Sequence, residues 1–316
     1  MKDRDKSNGY IAAPSRRRAL ALMFSACRWL SAAPALATRT QPVRLAISES
    51  LVSGVNINDA RAAMVIWLRQ MQAELKIPIE VDPDVFQTPA EIVRRARAGL
   101  FDAVALNIVE YRQIADVLDS SQIVCETAEM DQYVLLVKQG GGIRKLADLK
   151  GRRLLMLTTP KMCVASPWLS TILDEEHLGR TDQFFSSVVE DPKAARVVLP
   201  VFFGQNDACL TSTKSFRLMG ELNPQVANGL TAIATSPLLV VTFYAFHRNY
   251  QGGNRDRFAR VYANMSGSVA GKQLSTLFQF NNLVVKDGTC LDSSLAVLDK
   301  AEHIGTRPGA GPREGK

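Results

Sequence analysis

Apolar and polar positions alternate along the chain in a way that lays down strands and helices in turn. Residues 43–48 (VRLAIS) read as a strand. Residues 57–75 read as a helix, with Met64, Trp67, Leu68, Met71 and Leu75 recurring on one face at three- and four-residue spacing. Residues 77–81 (IPIEV) read as a second strand. Thr88-Pro89-Ala90-Glu91 has the spacing of a capping box with proline at the first helical position, so a helix starts there and stops at Gly99. Residues 101–107 (FDAVALN) follow as a buried strand. The order β-α-β-α-β implies a parallel sheet with right-handed crossovers.

The same order returns later. Residues 153–158 read as a strand, Ser166-Pro167 opens a helix that ends near Gly179, and 184–190 is a strand. Asp191-Pro192 opens a further helix that ends near Gly204, and 206–212 is a strand. Gly99-Leu-Phe-Asp102-Ala103 and Gly204-Gln-Asn-Asp207-Ala208 hold the same place in each unit. Glycine supplies a left-handed helix stop, and aspartate ties down the turn into the strand. The two units are therefore pseudo-repeats. Apolar runs at 132–139 and 237–248 stand at the joins and read as two strands crossing between lobes. Helical stretches at 254–280 and 291–304 complete the chain.

The fold class expected is α/β: two lobes, each with a mostly parallel sheet, joined by two crossover strands. Residues 38–134 and 243–304 form lobe one, and 135–242 lobe two. A ligand in such a body lies in the cleft, at the C-terminal ends of both sheets.

Composition supports a chain that buries a core, with 47% hydrophobic and 22% charged residues. That excludes disorder, collagen and a charge-rich coiled coil. After residue 40 no charge-free apolar run reaches about 18 residues, which excludes a multi-span membrane protein. The net charge of +7, from 38 basic and 31 acidic residues, invites an anionic partner. Its location changes that picture. Lys2, Arg4, Lys6, Arg16, Arg17 and Arg18 precede the apolar stretch 19–27 and the ending Ala35-Leu36-Ala37. This three-part pattern describes an export signal over 1–37, cleaved after Ala37, and the expected location is periplasmic. Ser15-Arg16-Arg17-Arg18-Ala19-Leu20 resembles a twin-arginine motif. Phe24 and Arg28 argue against a lipid on Cys27. Residues 1–37 hold seven basic and two acidic residues, so 31 basic and 29 acidic remain, or +2. Residues 305–316 are rich in glycine and proline and read as a disordered tail. No basic stripe is left for nucleic acid.

Enzyme signatures are scarce. The three histidines, His177, His247 and His303, have no histidine or cysteine neighbour at metal spacing, and no HExxH, GxSxG, GxGxxG or Walker loop occurs. No catalytic residue, cofactor or metal is expected. Cys125, Cys163, Cys209 and Cys290 show no CxxC spacing. Any disulfide would join cysteines of one lobe, Cys163 with Cys209 or Cys125 with Cys290, because a cross-lobe bridge would lock the hinge.

The candidate ligand groups are those at cleft-facing strand ends. Ser48, Glu49 and Ser50 follow the first strand, and Asn107 and Tyr111 the third. Thr158 and Thr159 follow the strand at 153–158, and Ser166 is the expected N-cap of the next helix. Thr211, Ser212 and Thr213 end the strand begun beside Asp207, which completes the set. Hydroxyls beside the free N–H groups of a helix start form an anion site.

The ordered blocks resemble the periplasmic solute-binding proteins of phosphate, phosphite and phosphonate ABC transporters, within the type 2 periplasmic-binding fold. The residues that carry the resemblance are VRLAIS, GLFDAVALNIVEY (99–111), IRKLADLKGRRLLML (143–157), NDACLTSTKSFRLM (206–219), TSPLL (235–239) and GKQLSTLFQFNNLVV (271–285). The family's Ser-Thr-Ser-Gly loop is replaced here by TTPKMCVASPW. The resemblance implies a monomeric binding protein that captures a small oxyanion and delivers it to an ABC permease and its ATPase. A same-fold module for another small polar solute, or one read by a sensory receptor, fits the same residues. A periplasmic enzyme would need a base–nucleophile pair, and none is legible.

Overall fold

The computed structural model describes residues 42–305, apart from Ser53, 127–131, Gln251 and Gln279. The expected export signal over 1–37, with Ala37 and Cys27, and the expected tail beyond Gly305 lie outside the described residues.

The first half of the fold is built from β1 (Leu45–Ser48), α1 (Ile57–Leu75), β2 (Asp84–Phe86), α2 (Pro89–Arg97), β3 (Ala103–Asn107), α3 (Ile108–Ile114) and β4 (Leu118–Glu126). The second comprises β5 (Tyr133–Lys138), β6 (Arg153–Leu157), α4 (Ala165–Glu175), α5 (Thr181–Phe184), β7 (Ser187–Asp191), α6 (Ala194–Phe202), β8 (Ala208–Ser212), α7 (Thr213–Leu222), α8 (Pro224–Gly229) and β9 (Leu230–Thr235). The chain then returns through β10 (Thr242–His247), α9 (Arg255–Ala263), α10 (Val269–Leu277), β11 (Leu283–Lys286) and α11 (Asp292–Gly305).

Two sheets result, ordered β11-β4-β10-β3-β1-β2 and β7-β6-β8-β5-β9. In the first, β2, β1 and β3 are parallel; in the second, β7, β6 and β8 are. The first strand of each parallel trio stands in its middle, as the pseudo-repeat requires. An antiparallel strand delivered from the other sheet then lies beside the trio: β10 next to β3, and β5 next to β8. The chain leaves the first sheet after β4 and enters the second as β5. It leaves the second after β9 and re-enters the first as β10.

Local chemistry explains the element ends. Asn56 caps α1 by accepting from the N–H groups of Asn58 and Asp59 at 2.9 and 3.4 Å. All five apolar residues expected on the inner face of α1 are buried. Thr88 accepts from Glu91 N at 3.2 Å, with Pro89 at the first helical position. Both repeat glycines adopt the left-handed conformation, Gly99 at φ +62° and Gly204 at φ +73°. Both repeat aspartates reach across to the neighbouring parallel strand. Asp102 accepts from Arg44 N at 2.8 Å and from its guanidinium at 2.8 and 3.2 Å. Asp207 accepts from Arg153 N at 2.9 Å.

Several expectations need correction. The run 77–81 supplies only an isolated bridge from Ile79 to Val43, and the strand forms at 84–86 instead. Pro78 has no N–H to donate to a ladder. The second crossover strand begins at Thr242, not 237, because the carbonyls of Val240 and Val241 are taken by Ser294 Oγ and Ile108 N. β4, β9 and β11 were not legible as strands: β4 opens on Leu-Asp-Ser-Ser-Gln, and β11 has only four residues.

All four described cysteines are thiols. A hydrogen bond from Cys125 to Cys290, with burial, raises the Cys125 thiol, while the same bond outweighs burial and lowers that of Cys290. Both belong to the first sheet's side of the molecule. Under mild oxidation, any bridge that forms should join these two and leave Cys163 and Cys209 alkylatable; a mapped peptide linking either of the latter to another cysteine contradicts this. Asp102→Ala should lower unfolding free energy by about 1–3 kcal/mol, since it orphans the Arg44 N–H and leaves the guanidinium only its bond to Gly99 O. Asp207→Ala should cost less, because its arginine partners Arg152 and Arg153 are 55% and 54% exposed. Urea denaturation of the two variants, side by side, measures this order.

Candidate functional site

The turns after β6 and β7 and one face of the first sheet enclose a cavity of about 720 Å³. Its two sides differ in chemistry. The second sheet contributes the turns that follow β6 and β7, namely Thr158-Thr159-Pro160-Lys161 and Pro192-Lys193. Each turn is a Pro-Lys step placed just after a parallel strand. They are tied together, since Thr158 N donates to Asp191 O at 3.1 Å and Lys193 N to Asp191 Oδ1 at 2.7 Å. The first sheet contributes Leu45, Ile47, Ala105, Thr242 and Tyr244, backed by apolar side chains of α1, α9 and α10. These same helices and strands pack the core on that face of the sheet.

Among the expected ligand groups, Thr158 and Thr159 line the cavity. Ser48, Ser50 and Asn107 come together, but as a network closed on itself. Ser48 Oγ donates to Glu110 Oε1 at 2.5 Å, and its oxygen lies 2.8 Å from Ser50 Oγ. Asn107 Nδ2 donates to Ser50 Oγ at 3.0 Å, and Asn107 N to Glu110 Oε2 at 3.0 Å. Asn107 and Glu110 form the capping box of α3, so their polar atoms serve the helix start. Glu49 is exposed in the turn beyond β1.

The remaining candidates do not line the cavity. Tyr111 is buried, its ring 5.2 Å from that of Phe243, and burial raises its phenol. Ser166 is not the N-cap of α4: the helix starts one residue earlier, Val164 holds the cap position, and Ser166 is exposed in the first turn. Asp207 sits at the opposite end of β8 from the cavity, held by Arg152 and Arg153. Ser212 caps α7 by accepting from Ser215 N at 3.1 Å, and Thr213 Oγ1 donates to Gln132 O at 3.0 Å. Thr211 is fully buried.

Lys161 and Lys193 were missed by sequence reasoning. The signal that could have found them is the repeated Pro-Lys step after two neighbouring parallel strands. Lys193 is exposed and makes no ion pair among the described residues. Lys161 Nζ lies 2.7 Å from Glu126 Oε2, and Lys214 Nζ lies 3.2 Å from Glu126 Oε1. Asn281 N also donates to Glu126, at 2.7 Å. Lys193 thus adds its charge at the cavity wall beside this Glu126–Lys161–Lys214 cluster. No group of three His, Cys, Asp or Glu among the described residues is placed to hold a metal ion.

Glu126 ends a strand of the first sheet, while Lys161 and Lys214 belong to elements of the second, so this carboxylate ties the sheets together. Burial pushes its carboxyl up, but the two lysines and the Asn281 N–H outweigh that and hold it below the usual 4.5. A depressed carboxyl stabilises the fold above its unfolded value, and that contribution is lost as pH falls through the folded one. Glu126→Gln should therefore lower unfolding free energy by about 1–3 kcal/mol at pH 7. The difference from the parent should shrink as pH drops below 4.5, a trend that a series of urea melts at graded pH will reveal or refute.

Solved structures resemble this fold at low identity. A binding protein component of an ABC phosphonate transporter from Pseudomonas aeruginosa aligns with a TM-score of 0.53 and 14% identity, covering 85% of this chain and 91% of its own. PhnD1 from Prochlorococcus marinus, in complex with methylphosphonate, aligns with a TM-score of 0.54 and 12% identity, covering 82% and 98%. A Xanthomonas citri protein bound to ATP aligns with a TM-score of 0.59 and 10% identity, covering 83% and 98%. Among curated proteins none matches at the level of sequence. Residues 52–287 match the model of a family described as ABC transporter, phosphonate, periplasmic substrate-binding protein. The two-sheet α/β body, the cavity walled from both sheets and this match agree, and the chain belongs to that family of transporter binding proteins, which are not enzymes.

Proposed function

We propose that this chain is an exported binding protein that captures a small oxyanion between two lobes and hands the closed form to an ABC permease and its ATPase. The lobes are residues 38–134 with 243–304, and 135–242. Support for the division comes from the sheets: each has its own parallel trio, and the chain crosses between them only at 126–133 and 235–242.

The observation that carries the ligand class is the pair of Pro-Lys turns on the cavity wall. An oxyanion seated there meets the Lys193 ammonium and the Thr158 and Thr159 hydroxyls. Thr159 precedes the short helical turn Pro160–Met162 and makes no side-chain capping bond there, so its hydroxyl is not spent on the turn. Charge-assisted bonds of this kind are short and roughly twice as strong as neutral ones. Recognition therefore rests on a few lysine and threonine groups in one cleft, not on the overall charge. The family match and the methylphosphonate carried by PhnD1 point the same way.

Closure is a population shift: the ligand favours the closed arrangement because only there do both sides touch it. No helix among the described residues is long and apolar enough to cross a membrane. The location proposed is the periplasm, and the membrane components are partners.

Thermal shift with methylphosphonate, phosphate, phosphite and neutral solutes tests the ligand class. Ligand at a thousandfold excess over its Kd should add roughly 4 kcal/mol of stability. Lys193→Ala should weaken the bound oxyanion by about 1.5–3 kcal/mol. An unchanged midpoint with every oxyanion, alongside a clear shift with a neutral solute, would overturn the proposal.

A further inference from the structure

We infer that the ligand is an amphipathic oxyanion, whose anionic head sits at Lys193, Thr158 and Thr159 and whose apolar body fills a chamber inside the first lobe. This rests on the reading of the cleft given above and names the substrate class more narrowly.

The first argument is size. A five-atom oxyanion occupies on the order of 100 Å³, at roughly 30 Å³ or less per heavy atom. The cavity is about 720 Å³, within the roughly 300–1,000 Å³ range of sites for drug-sized molecules. The excess volume is not at the polar end. It runs between the sheet and the helices, walled by Met64, Trp67 and Leu68 of α1, Tyr262 of α9, and Leu274 and Leu277 of α10.

The second argument is segregation. All the charged side chains on the wall, Lys161 and Lys193, come from the second sheet's turns. The rest of the chamber is nearly all apolar. A phosphate-sized ligand would gain nothing from such walls. Protein interiors are close-packed, with few voids larger than a water molecule. Met64, Leu68 and Leu274 are themselves buried core residues of this face. A chamber lined by them therefore has the form of a binding volume.

The third argument is independent of the first two. Tyr244 is 3% exposed and lines the chamber, yet its hydroxyl has no hydrogen-bond partner among the described residues. Its ring is fully engaged, stacked on Tyr262 at 4.4 Å and on Phe258 at 5.7 Å. Buried tyrosine hydroxyls normally find a partner. This one finds none among the described residues, although the residue stands on the chamber wall.

Titration calorimetry of the purified chain with methyl-, butyl- and octylphosphonate tests the inference. Affinity should rise by about fourfold per methylene over the first few carbons. Octylphosphonate should then bind at least about a hundredfold tighter than methylphosphonate, with a heat-capacity change that becomes more negative with length. Ala105→Phe places a ring into the chamber from β3 and should flatten the length dependence. If Ala105→Phe does not fold, the series on the unmodified chain still decides. Methylphosphonate binding with no gain at longer chains overturns the chamber and leaves the oxyanion reading standing. A full length dependence retained in folded Ala105→Phe also overturns it, since the tail would then bind elsewhere. Binding by no phosphonate at all removes the reading of the cleft, and the chamber inference with it.

Discussion

Each sheet owes its completion to a strand that arrives from the other. β5 enters directly after β4 and lies between β8 and β9; β10 enters after β9 and lies between β3 and β4. An interior strand satisfies its backbone groups on both edges, so neither sheet can close its hydrogen bonding without the crossing. The crossing also sets direction. β10 and β5 run antiparallel to the parallel trios, whose C-terminal ends point toward the other sheet. The joint placement of the segments after β1, β6 and β7 on the cavity wall is thus a consequence of the exchange.

Charge follows the same geometry. Glu126 is the last residue of β4, where the chain leaves the first sheet, and its partners Lys161 and Lys214 stand after β6 and at the start of α7. A carboxylate at the crossover, taken by two lysines of the other half, draws the halves together at the rim of the cavity. It also holds one of the cavity's lysines in place. At the opposite ends of the strands, Asp102 and Asp207 each pin the start of the neighbouring central strand. These two aspartates stand at the opposite poles of the sheets from the site lysines.

The cavity joins two unlike surfaces. One is two turns rich in proline, threonine and lysine; the other is the inner face of a sheet and three helices. Proline restricts each turn, and backbone bonds to Asp191 hold the two together, so the polar end is pre-organised. The apolar end borrows side chains that also form the core.

Much of this was legible in one sequence. The periodicity of α1, the cap at Thr88 and the paired glycine–aspartate turns are local signals, each acting within a few residues, and all of them formed as expected. From them followed the α/β class and the two parallel trios. β4, β9 and β11 were not legible, because they are held by partners from distant parts of the chain and lack a strong apolar alternation of their own. The site was legible in outline only. Strand order pointed to the cleft and to Thr158 and Thr159. But a serine or asparagine at a strand end looks the same whether its hydroxyl faces a ligand or closes a network such as Ser48–Ser50–Asn107–Glu110. Which lysines face the cavity, and that an apolar chamber opens behind them, depends on how helices from residues 57–75 and 255–277 pack on one sheet face. Burial and charge compensation are properties of neighbours in space, and only the tertiary structure decides who the neighbours are.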